Sequence, residues 1–63
     1  MAGIPDIVGV YQGLPIWIET KLPEGGAPTA IQQRRHREIL GAGGHVLVAR
    51  SVAEVVRWLA SLP

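Results

Sequence analysis

Cysteine is absent from this 63-residue sequence, and aromatic residues are few, with two tryptophans, one tyrosine and no phenylalanine. The lack of cysteine excludes disulfide bonds, thiolate metal sites and cysteine nucleophiles. No apolar run approaches membrane-spanning length, and the basic stretch and long apolar run of a signal peptide are missing from the N-terminus. We therefore expect a soluble, cytoplasmic protein.

The composition that is present fits one small domain over residues 1–63. The sequence is 48% hydrophobic and 17% charged, with a formal net charge of +1. A chain of this size buries only about 60% of the surface that its unfolded form exposes. A metal ion or a second subunit is the remaining source of added stability.

Two short segments rich in β-branched and aromatic residues predict a β-hairpin. They are Asp6–Tyr11 and Pro15–Lys21, and Gln12-Gly13-Leu14 between them contains a turn glycine. A turn centred on Gln12-Gly13 pairs residues equidistant from it, which places Asp6 opposite Glu19.

The second half of the chain predicts a helix, a strand and a helix. The first helix runs from Thr29 to about Leu40, with Gln33, His36 and Leu40 at helical spacing. Glycines 41, 43 and 44 end it. A buried strand at His45–Ala49 and a helix from Val52 to about Leu62, started by a Ser51–Glu54 capping box, follow. The order is ββαβα, an α/β fold in which the crossover makes the second and third strands parallel.

Opposed carboxylates at the end of the hairpin predict a metal site. Asp6 and Glu19 repel each other unless a positive charge lies between them, and a divalent cation meets that need. Lys21 lies two residues beyond Glu19 on the same strand face. Two acids and a lysine fit Mg²⁺, which binds carboxylates together with substrate phosphate. With Gln33 adding a hydrogen bond from the helix, the reaction indicated is phosphodiester hydrolysis.

The arrangement resembles the VRR-NUC domain, the virus-type replication-repair nuclease branch of the PD-(D/E)XK superfamily. The resemblance rests on Gly3-Ile4-Pro5-Asp6, on Glu19-Thr20-Lys21 after twelve intervening residues, on a helix that carries Gln33, and on Gly43-Gly44 and the strand end Val48-Ala49-Arg50-Ser51. It implies a minimal restriction-endonuclease-like fold and a Mg²⁺- or Mn²⁺-dependent endonuclease. The implied metal ligands are Asp6, Glu19 and the Thr20 carbonyl, and the implied catalytic residues are Asp6, Glu19, Lys21 and Gln33.

Further expectations follow from the same resemblance. Stand-alone phage and bacterial members are similar to DNA-repair enzymes that cut branched DNA such as Holliday junctions as homodimers, which implies a bacterial or phage-infected cell. Family domains usually begin with a helix that carries another acidic residue. This sequence begins at the Pro-Asp motif and lacks the usual N-terminal helix, so we expect a minimal form, a fragment or a chain completed by a partner.

Several residues outside the acid pair have competing interpretations. Arg34, Arg35 and Arg37 are either a solubilising face or DNA phosphate contacts. The two histidines, His36 and His45, are interpreted as structural, since no closely spaced second ligand suggests zinc. We expect Trp17 and Trp58 in the core or at a subunit interface.

Two alternatives to a nuclease stay open. A catalytically silent DNA-binding or assembly module would keep the fold and lack metal-dependent cleavage. A piece of a larger nuclease would fold poorly alone. For a homodimer, the expected contact surfaces are the last helix, with Trp58 and Leu59, and a sheet face that carries Ile7, Tyr11, Ile16 and Ile18.

Overall fold

The computed structural model describes residues 5–22, 24 and 26–63 as a three-stranded sheet with two helices. Gly3 and Ile4 of the N-terminal motif lie outside the described residues. The elements are β1 (Ile7–Tyr11), β2 (Leu14–Thr20), α1 (Ala30–Gly41), β3 (His45–Ala49) and α2 (Val52–Ser61). This order confirms the predicted ββαβα arrangement, with boundaries that differ by a residue or so.

The sheet has the strand order β1-β2-β3, with β1 antiparallel and β3 parallel to the central strand. Gln12 and Gly13 both have positive φ, 49° and 83°, and form a two-residue turn. Ile7 pairs with Ile18 and Val8 with Trp17, which is the predicted register. Asp6 lies one residue before β1, in line with Glu19.

The apolar core lies between the sheet and α2. Ile16, Ile18 and Ala49 are its buried members. Partly buried side chains pack around them: Tyr11, Leu47, Val55, Trp58, Leu59 and Leu62. The two surfaces proposed for dimer contact therefore largely cover each other within one chain, and the expectation that they are free is wrong. Of the four residues named for the sheet face, Ile7 is the exposed one, with 47% of its surface accessible.

The opposite face of the sheet is covered by α1. Because side chains alternate across a strand, Trp17 and Glu19 point away from the core that contains Ile16 and Ile18. Gly44 packs here so closely that an added Cβ would lie 2.5 Å from a Trp17 ring atom and 2.6 Å from Ile39. Neither helix within the described residues combines the length and apolar character needed to cross a membrane.

Candidate functional site

The candidate site lies at the carboxyl end of β2, where Glu19, Thr20 and Lys21 leave the sheet. β2 and β3 pair in parallel up to Thr20 and Ala49, and the Lys21 amide donates to the Ala49 carbonyl at 2.9 Å. The strand end is therefore fixed from the β3 side. Arg50 directly follows β3. Its guanidinium group donates to the Leu22 and Gly26 carbonyls at 3.2 and 3.1 Å. These bonds secure the loop that leads to α1.

Asp6 is exposed and is held by Thr20. One carboxylate oxygen of Asp6 accepts from the Thr20 amide at 2.9 Å and from the Thr20 hydroxyl. These bonds, the hydroxyl first, hold the pKa of Asp6 below its usual range, and the Lys21 charge adds a smaller effect in the same direction. Asp6 therefore stays ionised in mildly acidic solution.

The carbonyl of Thr20 faces the same side as Asp6. In a β-strand the N–H and C=O of one residue point towards the same neighbour. Because the Thr20 N–H points to the Asp6 carboxylate, the Thr20 carbonyl also points to that side of β2. Asp6 and this carbonyl together offer the oxygen ligands that hard divalent cations accept.

Glu19 is the buried acid of the site. Its exposure is 4%, and its Oε1 has no hydrogen-bond partner. The nearest basic atom is Nε2 of His36, 3.9 Å away, which is also buried and without a hydrogen-bond partner. The register sets Asp6 opposite Glu19, yet the two carboxylates contact different residues, Thr20 and His36. An unpartnered carboxylate oxygen in the interior is costly and fits a cation site.

Lys21 is positioned by Gln32, which is the neighbour of the predicted site residue Gln33. The Lys21 ammonium donates to the Gln32 side-chain oxygen at 3.2 Å. The same oxygen accepts from the Thr29 amide at 2.9 Å, while the Thr29 hydroxyl accepts from the Gln32 amide, which makes a complete capping box. Gln32 thus ties the start of α1 to the candidate catalytic lysine.

Gln33 is exposed and lies outside this network. Its amide donates to the Pro28 carbonyl at 3.0 Å, so it stabilises the helix start. The inward positions of α1 include Gln32, His36 and Ile39, whereas Leu40 is 55% exposed. The predicted stripe therefore shares His36 with this inward face, while Gln33 and Leu40 each lie one residue, or about 100° around the helix, from an inward position. The Thr29-x-x-Gln32 pattern is the sequence signal that could have pointed to Gln32.

The three arginines of α1 differ in their surroundings. Arg34 and Arg35 form ion pairs with Glu38 at 3.3 and 2.9 Å. Arg34 is largely exposed and Arg35 is mostly covered, while Arg37 is exposed. Arg34 and Arg37 are therefore the more accessible cations of this helix.

The residues present fit a metal ion in part. Two carboxylates and a peptide carbonyl lie at one end of β2, and one carboxylate oxygen is buried without a hydrogen-bond partner. Over the described ranges, no group of three or more His, Cys, Asp or Glu side chains is assembled to hold a metal. Comparisons of the chain with protein-family models, with curated proteins and with solved structures each find no match.

Proposed function

We propose that this chain is a metal-dependent DNA endonuclease with a minimal restriction-endonuclease-like fold of the VRR-NUC type. The observation that carries the proposal is the buried, unpartnered carboxylate oxygen of Glu19 beside Lys21 at the end of β2. A purely structural strand end has no need of a buried acid without a hydrogen-bond partner. The proposed substrate is branched DNA such as a Holliday junction.

Asp6, Glu19 and the Thr20 carbonyl would hold Mg²⁺ or Mn²⁺. The bound ion would supply an activated water and stabilise charge at phosphorus. The two carboxylates are held in different ways. Hydrogen bonds from Thr20 hold Asp6 at the surface, whereas Glu19 is held by burial.

Lys21 supplies a positive charge at the reacting group. Its ammonium has three donors, and one of them is used by Gln32. The remaining donors are available to orient the attacking water or to bind the oxyanion of the pentacovalent phosphorus. In the reaction the water oxygen forms a bond to phosphorus and one phosphorus–oxygen ester bond breaks, while the attacking water loses a proton to solvent and the leaving oxygen takes one up from solvent. Gln32 acts as a positioning residue for Lys21.

The test is cleavage of labelled junction and duplex DNA with Mg²⁺, Mn²⁺, Ca²⁺ or EDTA. We expect cleavage with Mg²⁺ or Mn²⁺ and none with EDTA. Lys21→Ala should slow cleavage about 100-fold or more while calorimetric Mn²⁺ binding largely survives, because the lysine acts mainly in the transition state. Arg57→Ala removes an exposed charge from α2 and is the matched control. Absence of cleavage with every metal would contradict the proposal.

A silent DNA-binding or assembly module is the second candidate. It is favoured by the lack, among described residues, of a cluster of three metal-binding side chains, and by the Thr20 bonds that already occupy Asp6. DNA binding that persists without cleavage under all metal conditions would select this candidate.

We further propose that the chain acts as a homodimer. With the α2 face of the sheet covered, β1 and α2 still carry exposed apolar side chains, namely Ile7, Val8, Val10, Val52 and Val56, and Leu22, Ile31 and Leu40 are exposed elsewhere among the described residues. Sedimentation at micromolar concentration should give the mass of a dimer. A monomeric mass with a cooperative melting transition would contradict this proposal.

A further inference from the structure

The His36 imidazole lies beside Glu19 and has no role in the cleavage step described above. The side chain of His36 is 13% exposed and that of Glu19 is 5% exposed. Their facing atoms, Nε2 and Oε1, lie 3.9 Å apart, and each is shielded from solvent without a hydrogen-bond partner. The two atoms lie within ion-pair distance of each other, and two buried polar atoms without hydrogen-bond partners also mark a place where a ligand can bind.

The 3.9 Å separation discriminates between possible bridges. A direct hydrogen bond spans about 2.7–3.2 Å, so the two atoms are too far apart for one. One water that bonds both atoms tetrahedrally would hold them about 4.6 Å apart, which is too long. Two ligands of one cation, each about 2.1 Å from it, lie about 3.0 Å apart at a right angle and about 4.2 Å apart when they face each other across the ion. The spacing lies inside this range, so it is compatible with a shared cation, as it is with a direct ion pair of the two side chains.

The placement of His36 on α1 supports the same interpretation. His36 lies four residues after Gln32, so the two side chains occupy one face of the helix. Gln32 contacts Lys21 and His36 approaches Glu19. One helix face therefore supplies a polar side chain to each of Glu19 and Lys21.

We propose that His36 is a ligand, through Nε2, of the same cation that Glu19 binds. The inference rests on the metal site of the proposed function and deepens it by naming the class of cation. Carboxylate and carbonyl ligands suit Mg²⁺, whereas an imidazole suits transition metals, and Mn²⁺ accepts both kinds of ligand. The site therefore selects Mn²⁺ or another first-row transition metal over Mg²⁺.

The test uses Mn²⁺ alone as the probe, with protein purified without a histidine tag. Pulsed electron paramagnetic resonance of bound Mn²⁺ should show nitrogen coupling from an imidazole in the wild type. His36→Gln should lose this coupling and bind Mn²⁺ about tenfold or more weakly, with a smaller change for Mg²⁺. The matched control is His45→Gln, on the other face of the sheet, which should keep the coupling and the affinity.

If His36→Gln folds poorly, the wild-type spectrum alone still tests the inference, because it shows whether a nitrogen atom binds the Mn²⁺. Bound Mn²⁺ without nitrogen coupling would overturn the inference, and DNA cleavage by the same sample would show that the proposed function stands. Nitrogen coupling in a protein that cuts no DNA would support the inference and contradict the nuclease proposal. A wild type that binds no Mn²⁺ would overturn the inference, and the cleavage assay with Mg²⁺ would then decide the nuclease proposal separately.

Discussion

The two faces of the sheet are built on different principles. The face under α2 is apolar, with Ile16, Ile18 and Ala49 buried together. The face under α1 buries Glu19 against His36 without a hydrogen bond to either of the facing atoms. Alternation along a single strand thus separates a stabilising side chain, Ile18, from a polar side chain one residue later.

In the proposed account, stability and function are divided between these two faces of a very small chain. Burial of apolar side chains stabilises the fold, whereas an unpartnered buried carboxylate destabilises it unless a ligand binds. The two requirements occupy opposite faces, so a substitution on one face tests one requirement. The following predictions use that separation.

The largest effect is expected from Ile18→Ala on the α2 face. It removes a buried side chain that is 6% exposed and should lower the free energy of unfolding by about 3 kcal/mol. The control is Val8→Ala, since Val8 is 60% exposed on β1 and its loss should have little effect. Urea denaturation measures both. Equal losses for the two variants would contradict the assignment of the core.

Gly44→Ala should disturb the α1 face by steric overlap. The new methyl would lie 2.5 Å from Trp17 and 2.6 Å from Ile39, so we expect a loss of about 1–3 kcal/mol. Gly41→Ala is the control, because Gly41 ends α1 with open space around it and alanine favours helix. That variant should be as stable as the wild type or more so. The account of α1 packing fails if both alanines are tolerated.

DNA affinity should respond to the exposed side of α1. Arg34→Ala and Arg37→Ala should each lower the salt slope of binding by about one if the arginine contacts phosphate, whatever the DNA sequence. Glu38→Gln should strengthen binding, because it removes the carboxylate that neutralises Arg34 and Arg35. Fluorescence anisotropy at several salt concentrations measures these effects. Unchanged affinity and slope in the variant with alanine at all three arginines, including Arg35, would refute phosphate contact.

The smallest effect concerns acid stability. The hydrogen bond from Arg35, with help from Arg34, holds the pKa of Glu38 below its ordinary value of 4.5. A lowered folded-state pKa means that this stabilisation is present above the unfolded pKa and is lost as pH falls through the folded pKa. Glu38→Gln should therefore flatten the stability profile slightly on the acid side. An identical acid slope in the two proteins would contradict this contribution.

The sequence predicted the fold better than it predicted the site. Hairpin register, parallel β2–β3 pairing and the end of α1 follow from local rules, such as the Gln12-Gly13 turn and the glycines after the helix. The inward face of α1 does not follow from local rules, because the charged Arg35 occupies a covered position while the apolar Leu40 is exposed. An apolar pattern cannot reveal such an exchange.

The Glu19–His36 contact was also beyond the sequence. His36 was interpreted as structural because no second ligand is near it along the chain, and Glu19 comes from another element. Only the packing of α1 on β2 brings the two side chains together. The opposition of Asp6 and Glu19 was predicted from the register, but Thr20 proved to be the residue that binds Asp6.

The central claim is that Glu19 is buried to bind a cation and not to stabilise the fold. Its most direct test is the melting temperature of the wild type and Glu19→Gln, each with and without Mn²⁺. The apo variant should melt no lower than the wild type, because a glutamine amide can donate to His36. Mn²⁺ should raise the melting temperature of the wild type only. A strongly destabilised apo variant that keeps the full Mn²⁺ shift would contradict the claim.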